Sequence, residues 1–350
     1  MSTMKPNIFT YATKELSQDA FFAWYFRWAD PSMIGDSELQ HSAQELLYTY
    51  ISDYTTNIIS VDIKRQYNHI DLLVIVNQDI YIIIEDKIYS GIHNNQLERY
   101  WNSISSNKKI GLFIKTGVDS DSEISKVGKC NYHYISRLKL LEHFKRCNSS
   151  NDIFVSYRDY WQEIENKRRS FKNNYRWEVG HVLGFYQELS KHLKNSNMHY
   201  AANPRGGDFV LNWHKITIEQ MYKTNMFLEF SFPKRCCECR NDNEFADYFK
   251  LKIKIHLQCE DKDETRPSKT DLMQMRKKIK KFHLPEFSKF SKSLTFPPQR
   301  TRVGAYMTIA DVPFSHLIER DFVHWNIECL VDKLQIYEKL LNNYKNHMNS

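Results

Sequence analysis

The stretch IDLLVIVNQDIYIIIEDK, Ile70 to Lys87, is two apolar runs around a polar break, yet it carries Asp71, Glu85 and Lys87 among Ile, Leu and Val. Two β-strands joined by a tight loop account for the pattern. Alternation along the second strand puts Glu85 and Lys87 on one face with Tyr81 and Ile83, and Ile82, Ile84 and Ile88 on the other. With apolar groups on both faces, the strand is expected to be central and covered. Burying an ionised carboxylate or ammonium is costly unless a partner or a metal compensates. These charges therefore mark a candidate active site.

The parity of the loop decides whether Asp71 meets Glu85. If Asn77, Gln78 and Asp79 form a three-residue loop, Val76 pairs with Ile80 and Asp71 lies directly across from Glu85. Such a pair has its Cβ atoms about 4.5–5.5 Å apart. A two-residue loop would put Asp71 opposite Ile84 instead. Two carboxylates at the closer distance suit a hard, oxygen-seeking divalent cation, Mg²⁺ or Mn²⁺, which takes one or two carboxylates plus phosphate oxygens. Lys87, on the same face, would point at a metal-bound water or at the phosphate. The competing reading is a structural ion pair of Lys87 with Glu85 or Asp71, which seldom repays its desolvation on stability grounds alone.

Outward from this hairpin, TKELSQDAFFAWYFRWAD reads as a helix that Thr13 or Ser17 can cap, with Ala20, Trp24 and Trp28 recurring at i, i+4 and i+8. SELQHSAQELLYTYISDY places Leu39, Ala43, Leu46, Leu47 and Tyr50 on one stripe, a second amphipathic helix. Strands follow at NIISVDIKRQ, IDLLVIV and IYIIIEDKI, then a helix at HNNQLERYWNSI, a strand at KKIGLFIKT and a short strand at NYHYI. Helical stretches cover about 136–193. The order helix, three strands, helix, strand is an α/β core. NSNMHYAANPRGGDF is the clearest composition break, so the expected domains are residues 1–195 and 205–350, the second an α+β unit.

The 350 residues are 41% hydrophobic and 26% charged, the values of an ordinary globular protein, so disordered and fibrous classes drop out. No apolar run approaches a membrane span and the N-terminus lacks a hydrophobic signal core, so a cytoplasmic protein with no membrane partner is expected. Seven scattered cysteines argue against a disulfide framework. The C-x-x-C of Cys236 and Cys239 lacks a second ligand pair, with only Cys259 and distant histidines on offer, so free thiols are favoured over zinc. The net charge of +7 is uneven: Arg266 to Arg302 holds eleven Lys or Arg against Asp271 and Glu286. A one-sided basic stripe is the footprint of a polyanion, although QMRKKIKKF also reads as a solvated helix face.

Asp71, thirteen intervening residues and then Glu85-Asp86-Lys87 resemble the D…(D/E)-x-K signature of the PD-(D/E)XK nuclease superfamily, with Ile70 in place of its proline. QLERY resembles the Q-x-x-x-Y element of its RecB-like branches, and Gln96 and Tyr100, four apart, share a helical face. ELSQDAFFAWYFRWADP is similar to the helix that opens one family of bacterial members. The resemblance covers about residues 10–115 and implies a restriction-endonuclease-like core. By it, Asp71 and Glu85 would bind the metal with the carbonyl of Asp86, Lys87 would position or activate the water, and Gln96 would touch phosphate or solvent near the metal. Some members add a glutamate from the first helix, a part open here to Glu15 or Glu45.

Other candidates carry less. His69, beside Asn68, reads as a turn residue, and His93 as a loop or capping residue. Gly206-Gly207 lacks the spacing of a phosphate loop. Trp161, Tyr175, Trp177 and Trp213 are expected to pack rather than stack bases. The expected function is a metal-dependent DNA endonuclease with nucleic acid as partner, and the sequence leaves a homo-oligomer open. The alternatives are a non-catalytic nucleic-acid-binding or interaction protein on a decayed nuclease fold and a metal-binding regulatory domain built on Cys236, Cys237 and Cys239. Replacing Arg276, Lys277, Lys280 and Lys281 by Ala should weaken nucleic-acid binding across all sequences and flatten its salt dependence. An unchanged salt slope would return that segment to a solvated face.

Overall fold

The computed structural model describes residues 6–92, 95–119, 121–173, 177–201, 207–219, 224–233, 249–256, 270, 294–295, 306–318 and 326–348. It divides into two compact units, residues 1–166 and 167–350. The first contains α1 (Glu15–Arg27), α2 (Ser37–Ile51), β1 (Val61–Tyr67), β2 (Ile70–Val76), β3 (Ile80–Lys87), α3 (Gln96–Ser103), β4 (Lys109–Lys115), α4 (Asp121–Lys129), β5 (Tyr132–Ser136), α5 (Arg137–Phe144) and the greater part of α6 (Asp152–Arg169). Its strands form one mixed sheet in the order β1-β2-β3-β4-β5. The first three strands are antiparallel, and β4 and β5 run parallel to β3. This is the restriction-endonuclease-like core with a fifth strand.

Period-two alternation sorts the strand residues between two cores. Leu72, Val74, Ile82, Ile84, Leu112 and Ile114 pack with residues of α1, α2, α5 and α6. Leu73, Ile75, Ile83 and Phe113 pack with Leu97 and Tyr100 of α3 and Val127 of α4. Ile82, Ile83 and Ile84 are completely buried, so β3 is central and covered on both faces. Each buried side chain of this size contributes about 1.5–3 kcal/mol relative to exposure.

The two hairpins fix the register. Asn68 and His69 have φ of 51° and 68°, the positive pair of a two-residue hairpin turn, so His69 is a turn residue. Val76 pairs with Ile80 across the three-residue loop Asn77-Gln78-Asp79. Asn77 takes a positive φ of 52°, which Asn tolerates better than most residues, and its side chain accepts from the Ile59 N–H at 2.7 Å and donates to the Asn57 carbonyl at 2.7 Å.

Helix α1 departs from expectation in two ways. Its N-cap is Lys14, with no side-chain cap, so neither Thr13 nor Ser17 serves. Its buried face is Phe21, Phe22, Tyr25 and Phe26, while Ala20 is exposed and Trp24 and Trp28 are half-buried. These four adjoining rings are almost wholly enclosed, and Phe21 stacks on Tyr157 of α6 at 3.6 Å between ring centres. Helix α2 behaves as its pattern indicates, with Leu39, Ala43, Leu46 and Leu47 buried and Asp36 capping the Leu39 N–H at 2.9 Å.

The second unit comprises α7 (Val179–Ser190), β6 (Asn197–Ala201), β7 (Asp208–Glu219), β8 (Thr224–Pro233), β9 (Lys250–His256), β10 (Tyr306–Pro313), α8 (Phe314–Leu317) and α9 (Ile327–Met348). Its antiparallel sheet runs β10-β9-β8-β7-β6 around an aromatic core that includes Phe185, Phe230, Phe249 and Phe314. The composition break near 195–205 and the division at 166/167 differ for a physical reason. The polar stretch holds β6, which among the described residues pairs with β7 alone, and α7 belongs to this sheet through the Tyr186 hydroxyl, which donates to the Phe209 carbonyl at 3.1 Å.

His93, Tyr175, Gly206, Cys236, Cys237, Cys239, Cys259 and the charged residues of the basic stripe lie outside the described residues. Cys130, Cys147 and Cys329 are free thiols. Trp161, Trp177 and Trp213 are buried packing residues. Among the described residues, no helix is long and apolar enough to cross a membrane.

Just beyond β4, a Cβ on Gly117 would run into the backbone carbonyl of Ile88, the residue that follows β3. Neither backbone can yield without moving the end of β3. Gly117→Ala should therefore cost about 1–3 kcal/mol, read as a fall in melting temperature of a few degrees. An unchanged melting temperature would show that the two segments are less tightly apposed than described.

Candidate functional site

Extending the β2–β3 register by one step from Leu72 and Ile84 sets Asp71 across from Glu85. The Lys87 ammonium lies 3.2 Å from Asp71 Oδ2 and contacts Glu85 Oε1. Gln96 opens α3 and donates its Nε2 to Glu85 Oε1 at 2.6 Å and to the Tyr100 hydroxyl at 2.9 Å. The four residues singled out in the sequence thus converge on one place. The ion pair weighed against the metal site is present as well, with Lys87 shared between both carboxylates. Glu85 has no exposed side-chain area and Asp71 retains 17%, so solvent reaches the cluster from the Asp71 side.

The two glutamates left open separate. Glu15, in the first turn of α1, accepts from the Ile88 N–H at 3.1 Å and the Ser90 hydroxyl at 2.6 Å, so it ties down the chain just after Lys87. Glu45 pairs with His41 on α2 at 3.5 Å. Lys115, the β4 neighbour of Lys87, donates to the Ser90 carbonyl and pairs with Glu123 at 3.3 Å. Glu123 in turn accepts from the Ile92 N–H at 3.2 Å. The segment leading toward Gln96 is therefore held from both sides.

Asp86 alternates to the α1 face. Its Oδ2 accepts from Gln18 Nε2 at 2.8 Å, and the Gln18 carbonyl oxygen accepts from the Thr116 hydroxyl at 2.6 Å and the Tyr157 hydroxyl at 3.0 Å. Two hydroxyl donors on that oxygen leave only the amide nitrogen to face Asp86. Asp19, one residue along α1, meets Asp86 and accepts from Gln66 Nε2 at 3.2 Å. One oxygen from each of Asp19, Asp71 and Asp86 lies within 4.8 Å of the others. Ile70 joins the α3-side core although its parity is that of Leu72, so strict alternation lapses at the start of β2. Asp71 there reaches carboxylates on both faces.

Burial sets the protonation of the site. Glu85 is pushed up to about 8, chiefly by desolvation and further by Asp71, against the pull of Lys87. Desolvation works against the charge on Lys87, but Glu85 and Asp71 outweigh it and raise its pKa. Desolvation also raises Asp86 well above the usual carboxylate range, with Asp19 adding to it, and raises Asp19 itself. Desolvation lowers Lys115.

Among the described residues, Oε2 of Glu85, Oδ1 of Asp86 and Oε1 of Gln96 are buried without a hydrogen-bond partner. Orphaned buried acceptors are rare in native proteins, and three around one cluster point to a ligand that supplies positive charge. Every donor is an oxygen, and among the described residues no thiol or imidazole takes part in the group. That set fits Mg²⁺ or Mn²⁺ rather than a soft metal.

A family model of the PD-(D/E)XK nuclease superfamily matches residues 6–203, more than half of the chain. The chain belongs to the PD-(D/E)XK nuclease superfamily. No curated protein and no solved structure matches it. Membership implies a nuclease in general, and nucleases of this superfamily use divalent metal ions, for which an acidic cluster is present. The sequence reading missed Gln18, Asp19 and the side chain of Asp86. The available signal was the i, i+4 spacing of Glu15 and Asp19 in ELSQD, which sets two acids on one face of the opening helix.

The pKa shifts predict a linked pH dependence. Glu85 in the folded chain binds its proton more tightly than at its ordinary value of 4.5. Its contribution to stability in the metal-free protein is full below about 4.5 and is lost as pH rises through about 8. Asp19 and Asp86 act in the same direction. A divalent cation needs these groups ionised, so the rise in melting temperature on adding Mg²⁺ should be small at pH 6 and larger at pH 9. A shift of equal size at both pH values would count against metal binding by Glu85.

Proposed function

We propose that the chain is a metal-dependent nuclease that cuts DNA internally, with Mg²⁺ or Mn²⁺ held by Asp71 and Glu85 and the carbonyl of Asp86. The observation that carries this reading is the Glu85 carboxylate, which shares one oxygen with Lys87 and Gln96 and leaves the other buried and unpartnered. A purely structural ion pair has no use for that second oxygen, whereas a metal ligand does. Bound there, the cation supplies Lewis-acid stabilisation of the phosphate and lowers the pKa of a bound water.

The chain's own residues would do the rest. Lys87 acts as a cation, not a base, because Glu85 and Asp71 hold its proton. Its ammonium is placed to orient the attacking water and to stabilise charge that develops on the phosphoryl oxygens. Gln96 fixes the Glu85 carboxylate and is itself fixed by Tyr100. The basic residues of Arg266 to Arg302 would hold the nucleic-acid backbone, and the lack of a disulfide pattern suits action in the cytoplasm. The metal-free ion pair also fits a non-catalytic nucleic-acid-binding protein, which would keep the geometry and lose the chemistry.

The test is closed circular DNA, single- and double-stranded, and RNA, each incubated with the purified chain in Mg²⁺, Mn²⁺ or EDTA. Cutting of the DNA circles that EDTA stops is the expected result. Lys87→Ala should lower cleavage by about 10²–10³-fold or more while leaving metal and DNA binding in place, as loss of a preorganised charge donor does. Asp71→Ala should lose metal-dependent activity by removing a ligand. Wild-type rates in both variants would make these residues structural and end the nuclease reading.

A further inference from the structure

Solvent reaches the acidic cluster from the Asp71 side, and β1 is the strand that flanks β2 there. The end of β1 and its turn read KRQYNH, Lys64 to His69, six exposed residues with two cations and no carboxylate. Lys64 pairs with Leu73, whose side chain enters the α3-side core, so Lys64 stands on the face of Glu85 and Lys87. Asp71, two residues before Leu73, is its diagonal neighbour across the strands, and such residues are about 7–8 Å apart. The backbone then turns over at Gln66, whose φ of 52° is uncommon for a glutamine inside a strand. Gln66 sends its amide to Asp19 of α1, while Tyr67 comes round to the face of Lys64. The Lys64 ammonium lies 5.2 Å from the centre of the Tyr67 ring. Ile70, the partner of Tyr67, follows it into the α3-side core. Among the described residues no carboxylate pairs with Lys64, and Tyr67 is 40% exposed.

We infer that this end of the hairpin, with Lys64 braced on Tyr67, grips a DNA phosphate next to the one being cut. The inference rests on the nuclease reading above and adds to it a surface that holds the substrate strand. A phosphate seated at Asp71 and Glu85 belongs to a chain of like charges, so its neighbours call for positive partners close to Asp71. Lys87 is committed to Glu85 and Asp71, whereas Lys64 stands beside Asp71 with its charge uncompensated. The ring of Tyr67 holds the ammonium in place without neutralising it, as a carboxylate would. Left-handed Gln66 brings the two side chains together, a strained residue of the kind that collects beside functional sites. Arg65 pairs with Leu72 of the α1-side core and its charge acts on Asp19, so it stands on the opposite face.

The experiment measures binding of a duplex DNA oligomer to the full chain in EDTA across salt concentrations, and KM for its cleavage in Mg²⁺. Lys64→Ala should lower the salt slope by about 0.9, the value of one phosphate contact. It should also raise KM more than it lowers kcat, since the contact is made away from the reacting phosphate. Tyr67→Leu should weaken binding about two- to five-fold, and Tyr67→Phe, which keeps the ring, should restore it. Arg65→Ala, on the opposite face, should leave the slope near its wild-type value. An unchanged slope in Lys64→Ala, or an equal fall in Arg65→Ala, would overturn the hairpin surface and leave the nuclease reading standing. DNA binding that depends on Lys64 without any cutting would sink the nuclease reading and keep the surface. A wild type that neither binds nor cuts DNA would overturn both.

Discussion

A three-residue loop between two buried strands sets everything at this site. Because side chains alternate with a period of two, changing that loop by one residue would carry Asp71 to the other side of β2 relative to Glu85 and Lys87. The apolar residues enforce the same choice. Leu72, Val74 and Val76 must enter one core and Leu73 and Ile75 the other, so the register that buries them also presents the charged residues correctly. Folding and site assembly are one constraint here. Asn77 secures it locally by taking a positive φ and bonding back to the segment before β1.

The two faces of the sheet then diverge in character. On the α3 face a lysine is present and shared by two carboxylates, with Gln96 completing the group. On the α1 face the carboxylates of Asp19 and Asp86 meet each other and the amides of Gln66 and Gln18. Helix α1 bridges the difference because it is aromatic toward the core and polar toward the end of β3. Phe21, Phe22, Tyr25 and Phe26 anchor it, while Glu15, Gln18 and Asp19 lie in its first turns and reach the strand end. The aromatic packing therefore fixes the axial position of three polar groups that have no apolar reason to be there.

That arrangement explains which parts of the site were legible. Asp71, Glu85 and Lys87 stood out because charge interrupts an apolar alternation, and Gln96 because QLERY follows at a familiar spacing. Gln18 and Asp19 were hidden, since polar residues in the first turns of a helix are the commonest kind and need no explanation. Asp86 was hidden by parity: its face is that of Ile82 and Ile84, and only contact with α1 reveals its role. The same limit applies to β6, where NMHYA reads as a linker because an edge strand needs little apolar content. On α1 the even spacing of Ala20, Trp24 and Trp28 points to a face that packing does not use, because Phe21, Phe22, Tyr25 and Phe26 enter the core together.

Buried charge also constrains how stable the site can be before a ligand arrives. Replacing a buried ionic group by apolar residues of similar volume is often neutral or stabilising, so Glu85, Asp86 and Lys87 are a liability to the fold. Three acceptor atoms without partners add to it, since each leaves a desolvation cost of about 1–3 kcal/mol uncompensated. The strands that carry this cost are the most deeply buried in the unit, with Ile82, Ile83 and Ile84 fully enclosed. A cluster of this kind would melt a peripheral strand, and it persists here because β3 is central and both cores close over it. The position of the charges at the heart of the sheet is thus the condition for keeping them poised, and a cation that satisfies the orphaned oxygens stabilises the folded state it requires.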